Sequence, residues 1–426
     1  MELIKENPKI ALAYDLSLLT IALLIAVLPK LVVLGFLFMF TTIVYGLTKK
    51  QFSFQFDSIL AAFAVLYLIY LLGAVFTHNP SAASRYLEYK LSFLLVPFLF
   101  SFRPKFRSNL SFPIIGLSLG ILAVSIWGLT KAFAVYAITH YALAAFTASN
   151  ICVDHPTYFA AFTMVSIAGI WYLYKIKSPG FTGKWIFLYL LFAIVMLFLS
   201  YAMAAILFFL LVVSFLILRW IYIKINRWIA ILLLVISPFL LFFTVTNIPA
   251  FKDEINNSMI AFKSYIANPS EFIQGREGVP SGDQVRLIMW TVSAKAWWKH
   301  PFGVGTGNVD EYLSLELKAA GQKELAHKDE NNEIRYNPHN QFLQTGLEVG
   351  LLGIFTFLFV LISSIRKGFK TSNWLLILVV SCLIFNCLFE SILQRQTGIV
   401  FFTFWICLLL IHSKSITQIQ INRQND

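Results

Sequence analysis

Long apolar segments recur along the whole chain and constrain its fold more than any other feature. A helix needs about 20 apolar residues to cross a bilayer, and in lipid its backbone groups must find their hydrogen-bond partners within the segment. The segments are continuously apolar rather than alternating, which excludes a β-barrel. Of the 426 residues, 58% are hydrophobic and only 13% are charged. The sequence therefore predicts an all-α polytopic membrane protein.

Hydropathy predicts about twelve transmembrane spans. They lie near residues 11–29, 31–47, 58–76, 88–101, 113–136, 156–174, 184–199, 202–221, 227–246, 341–364, 373–390 and 396–412. The fourth is short and the seventh and eighth are nearly continuous, so eleven spans are the alternative. We expect three parts: spans 1–9 in residues 1–246, one large structured outer loop in 247–340, and spans 10–12 with a cytoplasmic tail in 341–426.

Basic residues concentrate in alternate loops, which predicts the orientation of the chain. The positive-inside rule places these loops in the cytoplasm. They contain Lys49, Lys50, Arg103, Lys105, Arg107, Lys175, Lys177, Lys184, Arg219, Lys224, Arg227, Arg366, Lys367 and Lys370. The opposite short loops hold little beyond Lys30, Arg85, Lys90 and Arg395. Both termini are then cytoplasmic, and the large loop lies on the outer face. Topology accounts for the net charge of +12, so no nucleic-acid partner is predicted.

The outer loop contains one amphipathic segment and one glycine-rich turn. The segment from Val285 to Lys299 is rich in tryptophan, and tryptophan favours the membrane–water boundary. We therefore expect a helix lying on the bilayer surface. The turn with Gly303, Gly305 and Gly307 neither follows a strand nor matches a P-loop. It is more typical of a loop that folds back on itself than of a phosphate site.

His339 is the strongest candidate for a general base. It precedes Asn340, a good N-cap for the tenth span. The positive end of a helix dipole favours a neutral imidazole, which is the form that accepts a proton. The alternative is an interfacial histidine packed at the start of a span.

Arg286 is the candidate for binding a phosphate. It shares a helix face with Trp290 by i, i+4 spacing, and a planar guanidinium suits phosphate oxygens. The alternative is an arginine that lies among lipid headgroups.

Other charged residues of the outer face fall near the same membrane boundary. Glu348 lies two turns into the tenth span, where an ionisable group is costly unless it is paired or lines a cavity. Arg395 and Glu390 are its expected partners. His155, at the outer start of the sixth span, is a weaker candidate for the same cavity.

Arg85 and Lys90 are candidates for holding a diphosphate; the alternative is a local ion-pair set with Glu88 at the headgroup level. The sequence has no H-E-x-x-H, no paired aspartate motif and no Cys/His cluster with ligand spacing. Metal-dependent transfer is therefore not favoured.

The motifs and topology resemble those of the O-antigen ligase family, which also contains O-antigen polymerases of the Wzy type. The matching pieces are Arg286-x-x-x-Trp290, His300-Pro301-x-Gly303-x-Gly305-x-Gly307-Asn308, Pro338-His339-Asn340-x-x-Leu343 and Glu348-x-Gly350-Leu351-x-Gly353. The segment from Arg85 to Pro97, and Phe389-Glu390-Ser391, are similar to a Bacteroidetes-type branch.

The resemblance implies a metal-independent, inverting glycosyltransferase of the bacterial inner membrane, with its active site facing the periplasm and no soluble cofactor. The donor would be a glycan on undecaprenyl diphosphate, and the acceptor a sugar hydroxyl of lipid A–core or another glycan. The histidine matching His339 would activate the acceptor, and the arginine matching Arg286 would bind the donor diphosphate. One departure is Ala202, where many members carry a basic residue.

Two alternatives remain at this point. A Wzy-type polymerase would use the same donor chemistry to join repeat units. A transporter of a small anion or lipid would place ionisable groups near the bilayer midplane. Asp15 and Lys131 are the few candidates deep in spans, while most charge lies outside them, which favours an enzyme.

Overall fold

The computed structural model describes residues 7–247, 249–274, 282–328, 334 and 336–424, and α-helices make up most of this part of the chain. The helices are α1 (Pro8–Val27), α2 (Val32–Thr48), α3 (Ser58–Val75), α4 (Pro80–Lys90), α5 (Ser92–Ser101), α6 (Ser111–Thr139), α7 (Ala142–Ala145), α8 (Ala148–Ile151), α9 (Pro156–Lys175), α10 (Trp185–Leu199), α11 (Met203–Lys224), α12 (Arg227–Asn247), α13 (Pro249–Ala267), α14 (Pro269–Ile273), α15 (Gly282–Lys299), α16 (Val309–Ala319), α17 (Gln341–Lys370), α18 (Trp374–Phe389) and α19 (Gln396–Gln424). A 3₁₀ turn at Pro29–Leu31 and two short strands, β1 (Phe52–Phe54) and β2 (Phe102–Pro104), complete the described elements.

The long apolar helices confirm the predicted class of fold. In the described ranges, seven helical segments are long and apolar enough to cross a membrane: Pro8–Val27, Pro29–Thr48, Ser58–Val75, Ser111–Thr139, Pro156–Lys175, Met203–Lys224 and Gln341–Lys370. Four shorter apolar helices are Trp185–Leu199, Arg227–Ser237, Trp374–Phe389 and Gln396–His412. The chain is thus an all-α polytopic membrane protein, while the number of twelve spans stays a prediction.

The predicted fourth span is divided between two helices. α4 ends at Lys90, and α5 has only 10 residues with Pro97 inside it. A helix of that length reaches about 15 Å, half of the hydrocarbon core. The antiparallel pairing of β1 with β2 places the start of α3 beside the end of α5. α4 and α5 together therefore return the chain to the side from which α3 departs.

The outer loop has a hydrophobic core of its own. α15 buries Val285, Ile288 and Met289 against Leu313 and other apolar residues of α16 and the loop. Its last turn leaves Trp298 89% exposed. The amphipathic helix predicted from the tryptophan-rich segment exists, but its apolar face packs on protein instead of lying on the bilayer. The sequence pattern cannot distinguish these two apolar partners.

α17 joins the outer loop to the membrane bundle. It contacts α3 and α18 in the bundle and α15 in the loop. Its backbone breaks at Gly350, whose φ and ψ are +66° and −161°. A side chain at this position would meet the backbone of Phe302 at 2.2 Å, so the break requires glycine.

The two ends of the bundle differ in what they bring together. At one end, called here the histidine end, the starts of α9, α17 and α19 meet the end of α18, with His339 and Glu390 in contact. At the other, called the basic end, Asp57 pairs with Arg103 and Lys367 at 3.3 and 2.7 Å. The loops that the positive-inside rule places in the cytoplasm include those of the basic end.

Candidate active site

The backbone around His339 is held in a conformation unusual for a residue with a side chain. Its φ is +46°, which lies in the left-handed region. Its N–H donates to the side-chain oxygen of Asn337 at 2.8 Å. Its carbonyl accepts from the indole N–H of Trp290 at 3.2 Å. These contacts fix the direction in which the imidazole leaves the backbone, and they give Trp290 a role in positioning the histidine.

Asn340 is the N-cap of α17, as predicted. Its side-chain oxygen accepts from the Leu343 N–H at 3.0 Å, and its side-chain nitrogen donates to the Leu388 carbonyl at 3.1 Å. The first bond satisfies an unpaired donor of the helix start. The second ties the start of α17 to the end of α18, one residue before Phe389 and two before Glu390.

His339 and Glu390 form an acid–imidazole dyad. The imidazole Nδ1 lies 3.2 Å from Oε1 and 3.3 Å from Oε2 of the carboxylate. The side chains are 20% and 13% exposed. Burial alone would raise the pKa of Glu390, but the hydrogen bond and charge of His339, with His155 and Arg286, lower it below its ordinary value. Glu390 is therefore an ionised carboxylate at neutral pH.

The sequence pointed to Glu390 only as a partner for Glu348. Its importance follows from the hydrogen bond to His339, 51 residues away in the chain. The available signal was its position at the end of an apolar span, within the motif Phe389-Glu390-Ser391. Periodicity could not identify the residue that this carboxylate contacts.

Cationic and imidazole groups surround the dyad. Arg286 is close enough to Glu390 to lower the pKa of its carboxyl group. Burial lowers the pKa of His155, and the nearby charges include Glu390 and Arg395. The His155 Nδ1 accepts from the Thr157 N–H at 3.4 Å, which caps α9. The structure thus brings the two residues predicted to be catalytic, and the weaker candidate His155, into one site.

A cavity of about 640 Å³ lies next to the dyad, because its lining includes Asn337, whose side chain accepts a hydrogen bond from the His339 N–H. Arg85, Arg395 and Lys30 contribute cations to its lining, and Asp154 and Asp310 contribute carboxylates. Leu28 and Leu31, also in the lining, are 50% and 44% exposed. The lining therefore combines charged groups with apolar residues from the turn between α1 and α2. Lys30 had been noted only as a loop residue.

Lys90 and Glu348 form a buried ion pair below this cavity. The ammonium and the carboxylate Oε1 are 3.2 Å apart, and the side chains are 0% and 1% exposed. Lys90 also lies over the rings of Tyr70 and Tyr86 at 4.6 and 5.1 Å. Gln344, which lines the cavity, donates to the other carboxylate oxygen at 3.4 Å. A buried charge needs such a partner.

This pair corrects the expected partners of Glu348. Arg395 instead lies 3.9 Å from Asp154, and Glu390 binds His339. The sequence predicts Arg395 and Glu390 on the same side of the membrane as Glu348, but the folded chain brings the Lys90 ammonium within 3.2 Å of the Glu348 carboxylate. Lys90 therefore faces Glu348, whereas Arg85 reaches the cavity.

The glycine-rich turn braces the break in α17. The N–H groups of Val304 and Gly305 donate to the carbonyls of Leu347 and Glu348 at 2.8 and 3.0 Å. Leu351 donates its N–H to the Pro301 carbonyl at 3.0 Å. These bonds replace the helical bonds that the kink removes. Because these N–H groups are already satisfied, the turn serves as a backbone brace, in agreement with its interpretation as a turn.

Ala202, at the position where a basic residue was expected, is buried between α10 and α11. It is 7% exposed, and its N–H donates to the Ser200 hydroxyl at 3.3 Å. Ala202 itself provides no cation. The cations Arg85, Arg395 and Lys30 line the cavity next to the His339–Glu390 dyad.

Together these features define a class: a multi-pass membrane protein with an acid–imidazole dyad beside a cation-lined cavity. Residues 188–358 match the model of the family described as O-Antigen ligase. This part of the chain is therefore similar to the O-antigen ligase family. The match covers less than half of the chain; it includes Arg286, His339 and Glu348 but stops before Glu390. None of the curated proteins compared with the chain matches it.

Proposed function

We propose that the protein transfers a glycan from undecaprenyl diphosphate to a sugar hydroxyl of lipid A–core. Members of the O-antigen ligase family are glycosyltransferase-like enzymes with lipid-linked glycan substrates. The observation that carries the proposal is the His339–Glu390 dyad beside a cavity that is lined by both cations and apolar residues. Such a cavity suits a donor with a charged diphosphate and a hydrocarbon tail.

His339 is the general base of the proposed reaction. The Glu390 carboxylate accepts a hydrogen bond from Nδ1–H, so Nε2 carries the lone pair that receives a proton. The carboxylate also stabilises the imidazolium that forms when the proton arrives. Trp290 and Asn340 hold the backbone on either side of this geometry.

The proposed step is a direct displacement. The acceptor hydroxyl oxygen forms a bond to the anomeric carbon of the donor sugar while its proton passes to His339 Nε2. The bond between that carbon and the diphosphate oxygen breaks, and the diphosphate leaves with the electron pair. Attack from the face opposite the leaving group inverts the anomeric centre. No metal or soluble cofactor takes part in this proposed step.

Arg286, Arg85 and Arg395 stabilise the departing diphosphate. A guanidinium offers paired donors to phosphate oxygens, and charge that develops in the transition state is where such groups contribute most. Glu348 holds Lys90 below the cavity. The pair therefore supports the cavity wall through Gln344 and does not contact the substrate directly.

The proposed location is the inner membrane, with both termini in the cytoplasm and the dyad facing the periplasm. The positions of Lys367 and Arg103 at the end opposite His339 support this orientation. The loop of residues 247–340 then lies in the periplasm. Lipid A–core in the outer leaflet of the inner membrane reaches the site from that side.

A Wzy-type polymerase is the alternative within this chemistry, because the dyad and cavity suit a carrier-linked acceptor equally well. Transport of an anion or lipid is less well supported. Asp15 accepts from the Asn109 N–H at 3.0 Å, and Lys131 donates to the Ser149 carbonyl at 3.2 Å. Asp15 therefore contacts the loop before α6, and Lys131 contacts the short helix α8.

The test is a glycolipid gel from the native host, with the carrier-linked pool measured beside it. A deletion strain is complemented with wild type, His339→Ala, Arg286→Ala, or His327→Ala as a matched control at an exposed histidine of the loop. In the deletion strain we expect polymer that remains on the carrier and lipid A–core without polymer. Only wild type and His327→Ala should restore the transfer.

Other outcomes have defined meanings. Core bearing a single repeat unit would replace the ligase with the polymerase. An unchanged ladder in the deletion strain would contradict both glycan functions and favour transport. Full rescue by His339→Ala would remove the proposed base.

A further inference from the structure

The basic end of the bundle holds a second cavity that the proposed transfer reaction does not use. It measures about 450 Å³ and is lined by Arg107, Lys177 and the hydroxyl residues Ser108, Ser111 and Ser178. Arg107 and Lys177 are both exposed, and neither forms an ion pair with another described residue. This basic cleft is therefore a cationic pocket with several hydroxyl donors.

Local structure positions these groups. After α9 ends, Lys177 takes a left-handed conformation with φ of +51°. The Ser178 N–H then donates to the Leu173 carbonyl at 3.0 Å. This is the hydrogen bond of a Schellman motif at the C-terminus of a helix. Ser178 consequently reaches Ser111, at the start of α6, with the two hydroxyl oxygens 3.1 Å apart.

An apolar groove of about 380 Å³ lies on the same elements. Its lining includes Ile115 of α6, Ile170 of α9, and Phe181 and Trp185 near the start of α10. Ile115 is one turn from Ser111, and Ile170 is one turn from Leu173, which lines the cleft. Residues spaced by three or four share a helix face. The groove therefore continues from the cleft along α6 and α9.

The cleft and the candidate active site lie at opposite ends of one helix. α9 begins beside His155, in the active site, and ends beside Lys177 in the cleft. Twenty helical residues reach about 30 Å, the thickness of the hydrocarbon core. The cleft thus lies at the other membrane boundary, where phospholipid headgroups are found.

We propose that the basic cleft and the apolar groove together bind one anionic phospholipid of the leaflet at the basic end. Arg107, Lys177 and the serine hydroxyls contact the phosphate, and an acyl chain lies along Ile115, Ile170 and Trp185. Cationic side chains at a membrane boundary attract anionic headgroups. The groove adds a requirement for a hydrocarbon chain, which free phosphate does not meet.

The full chain is purified in detergent, and lipid binding is measured by native mass spectrometry. The probes are phosphatidylglycerol, phosphatidylcholine with the same chains, and glycerol 3-phosphate. We compare wild type with Arg107→Ala/Lys177→Ala. The matched control is Arg366→Ala/Lys370→Ala, which removes two exposed cations from the end of α17. Leu119 also lines the groove, and Leu119→Trp fills the groove without changing charge.

We expect wild type to prefer phosphatidylglycerol over phosphatidylcholine. The cleft double variant should bind phosphatidylglycerol about tenfold more weakly, and the control variant should bind as wild type does. Leu119→Trp should also weaken phosphatidylglycerol binding. Equal losses in the cleft and control variants would overturn the proposal in favour of general surface charge. Tight binding of glycerol 3-phosphate, unaffected by Leu119→Trp, would show a phosphate site instead of a lipid site. Glycan transfer need not be measured, so the result is independent of the proposed function.

Discussion

The two pairs of opposite charge near α17 lie in different surroundings. His339 and Glu390 are 20% and 13% exposed, beside a cavity that a substrate can enter. Lys90 and Glu348 are 0% and 1% exposed and are enclosed by aromatic rings. In the proposed mechanism the first pair exchanges a proton with the substrate, whereas the enclosed Lys90–Glu348 pair takes no part in proton transfer.

The difference in burial suggests a catalytic role for the His339–Glu390 pair and a structural role for the Lys90–Glu348 pair. A titratable imidazole with a fixed carboxylate and an accessible nitrogen is arranged for proton transfer. A fully enclosed ammonium–carboxylate pair has lost its hydration, and its mutual attraction mainly offsets that loss. Substitutions at the two pairs should therefore affect different quantities, activity at one and stability at the other.

His339→Ala should have the largest effect on the rate. Removal of a positioned general base typically costs about 10²- to 10⁴-fold in rate, while the half-buried side chain contributes little to the bundle core. Transfer of glycan from a purified lipid-linked donor measures the rate, and thermal unfolding in detergent measures stability. A variant as active as wild type would assign the proton transfer to another group.

Glu348→Ala should have the largest effect on stability. It leaves the Lys90 ammonium buried without its partner, which costs about 3–5 kcal/mol. The double variant Lys90→Met/Glu348→Leu removes both charges and should recover most of that loss. Detergent unfolding curves of wild type, Glu348→Ala and the double variant test this. If the double variant is as unstable as Glu348→Ala, the pair has a role beyond mutual neutralisation.

Glu390→Gln should lower the rate by roughly 10- to 100-fold, because it loses orientation and charge at the imidazole without removing the base. A Glu390→Gln variant as active as wild type would show that the carboxylate does not assist the imidazole. Glu324→Gln, at an exposed loop position, is the matched control.

Glu390→Gln should also alter the stability of the protein in acid. The pKa of Glu390 is lowered in the folded protein, so its stabilising contribution is present at neutral pH. That contribution is lost as the pH falls through the lowered pKa. Wild type should therefore lose stability over this acidic range, and Glu390→Gln should lose less. Unfolding curves recorded from neutral to acidic pH give the comparison.

Arg395→Ala should have the smallest effect on stability. The guanidinium lies 3.9 Å from Asp154, and the side chains are 60% and 36% exposed. A solvent-screened pair of this kind contributes at most about 1 kcal/mol. Because Arg395 lines the cavity, the KM for the donor should nevertheless rise severalfold. Asp154→Asn breaks the same pair without removing the cation, so a matching rise in KM would assign the effect to the pair.

Much of the fold was predictable from local pattern. Each predicted span coincides with helical structure, since a long apolar segment has few alternatives in lipid. Asn340 was recognised as an N-cap because capping depends on neighbouring residues alone. Motif order and position also predict that the polar segment around Arg286 and His339 is the region of chemistry, and this stays a prediction.

The pairing of charges was not predictable in the same way. Lys90 contacts Glu348, and Glu390 contacts His339, across separations that no periodic pattern spans. The choice between Lys90 and Arg395 as the partner of Glu348 depends on how α4, α17 and α19 pack. The burial of α15 against α16 has the same origin, because an apolar helix face does not specify whether protein or lipid covers it.

The brace at Gly350 has a consequence for building hybrid enzymes. The outer loop supplies backbone hydrogen bonds to the broken helix through Pro301, Val304 and Gly305. A loop exchanged at its apparent end, before Gln341, would arrive without the first turns of α17 that it was matched to. In a chimera, the segment taken from the parent that supplies the loop should therefore extend through Gly353. The glycine-rich turn and the helix break at Gly350 then come from the same parent.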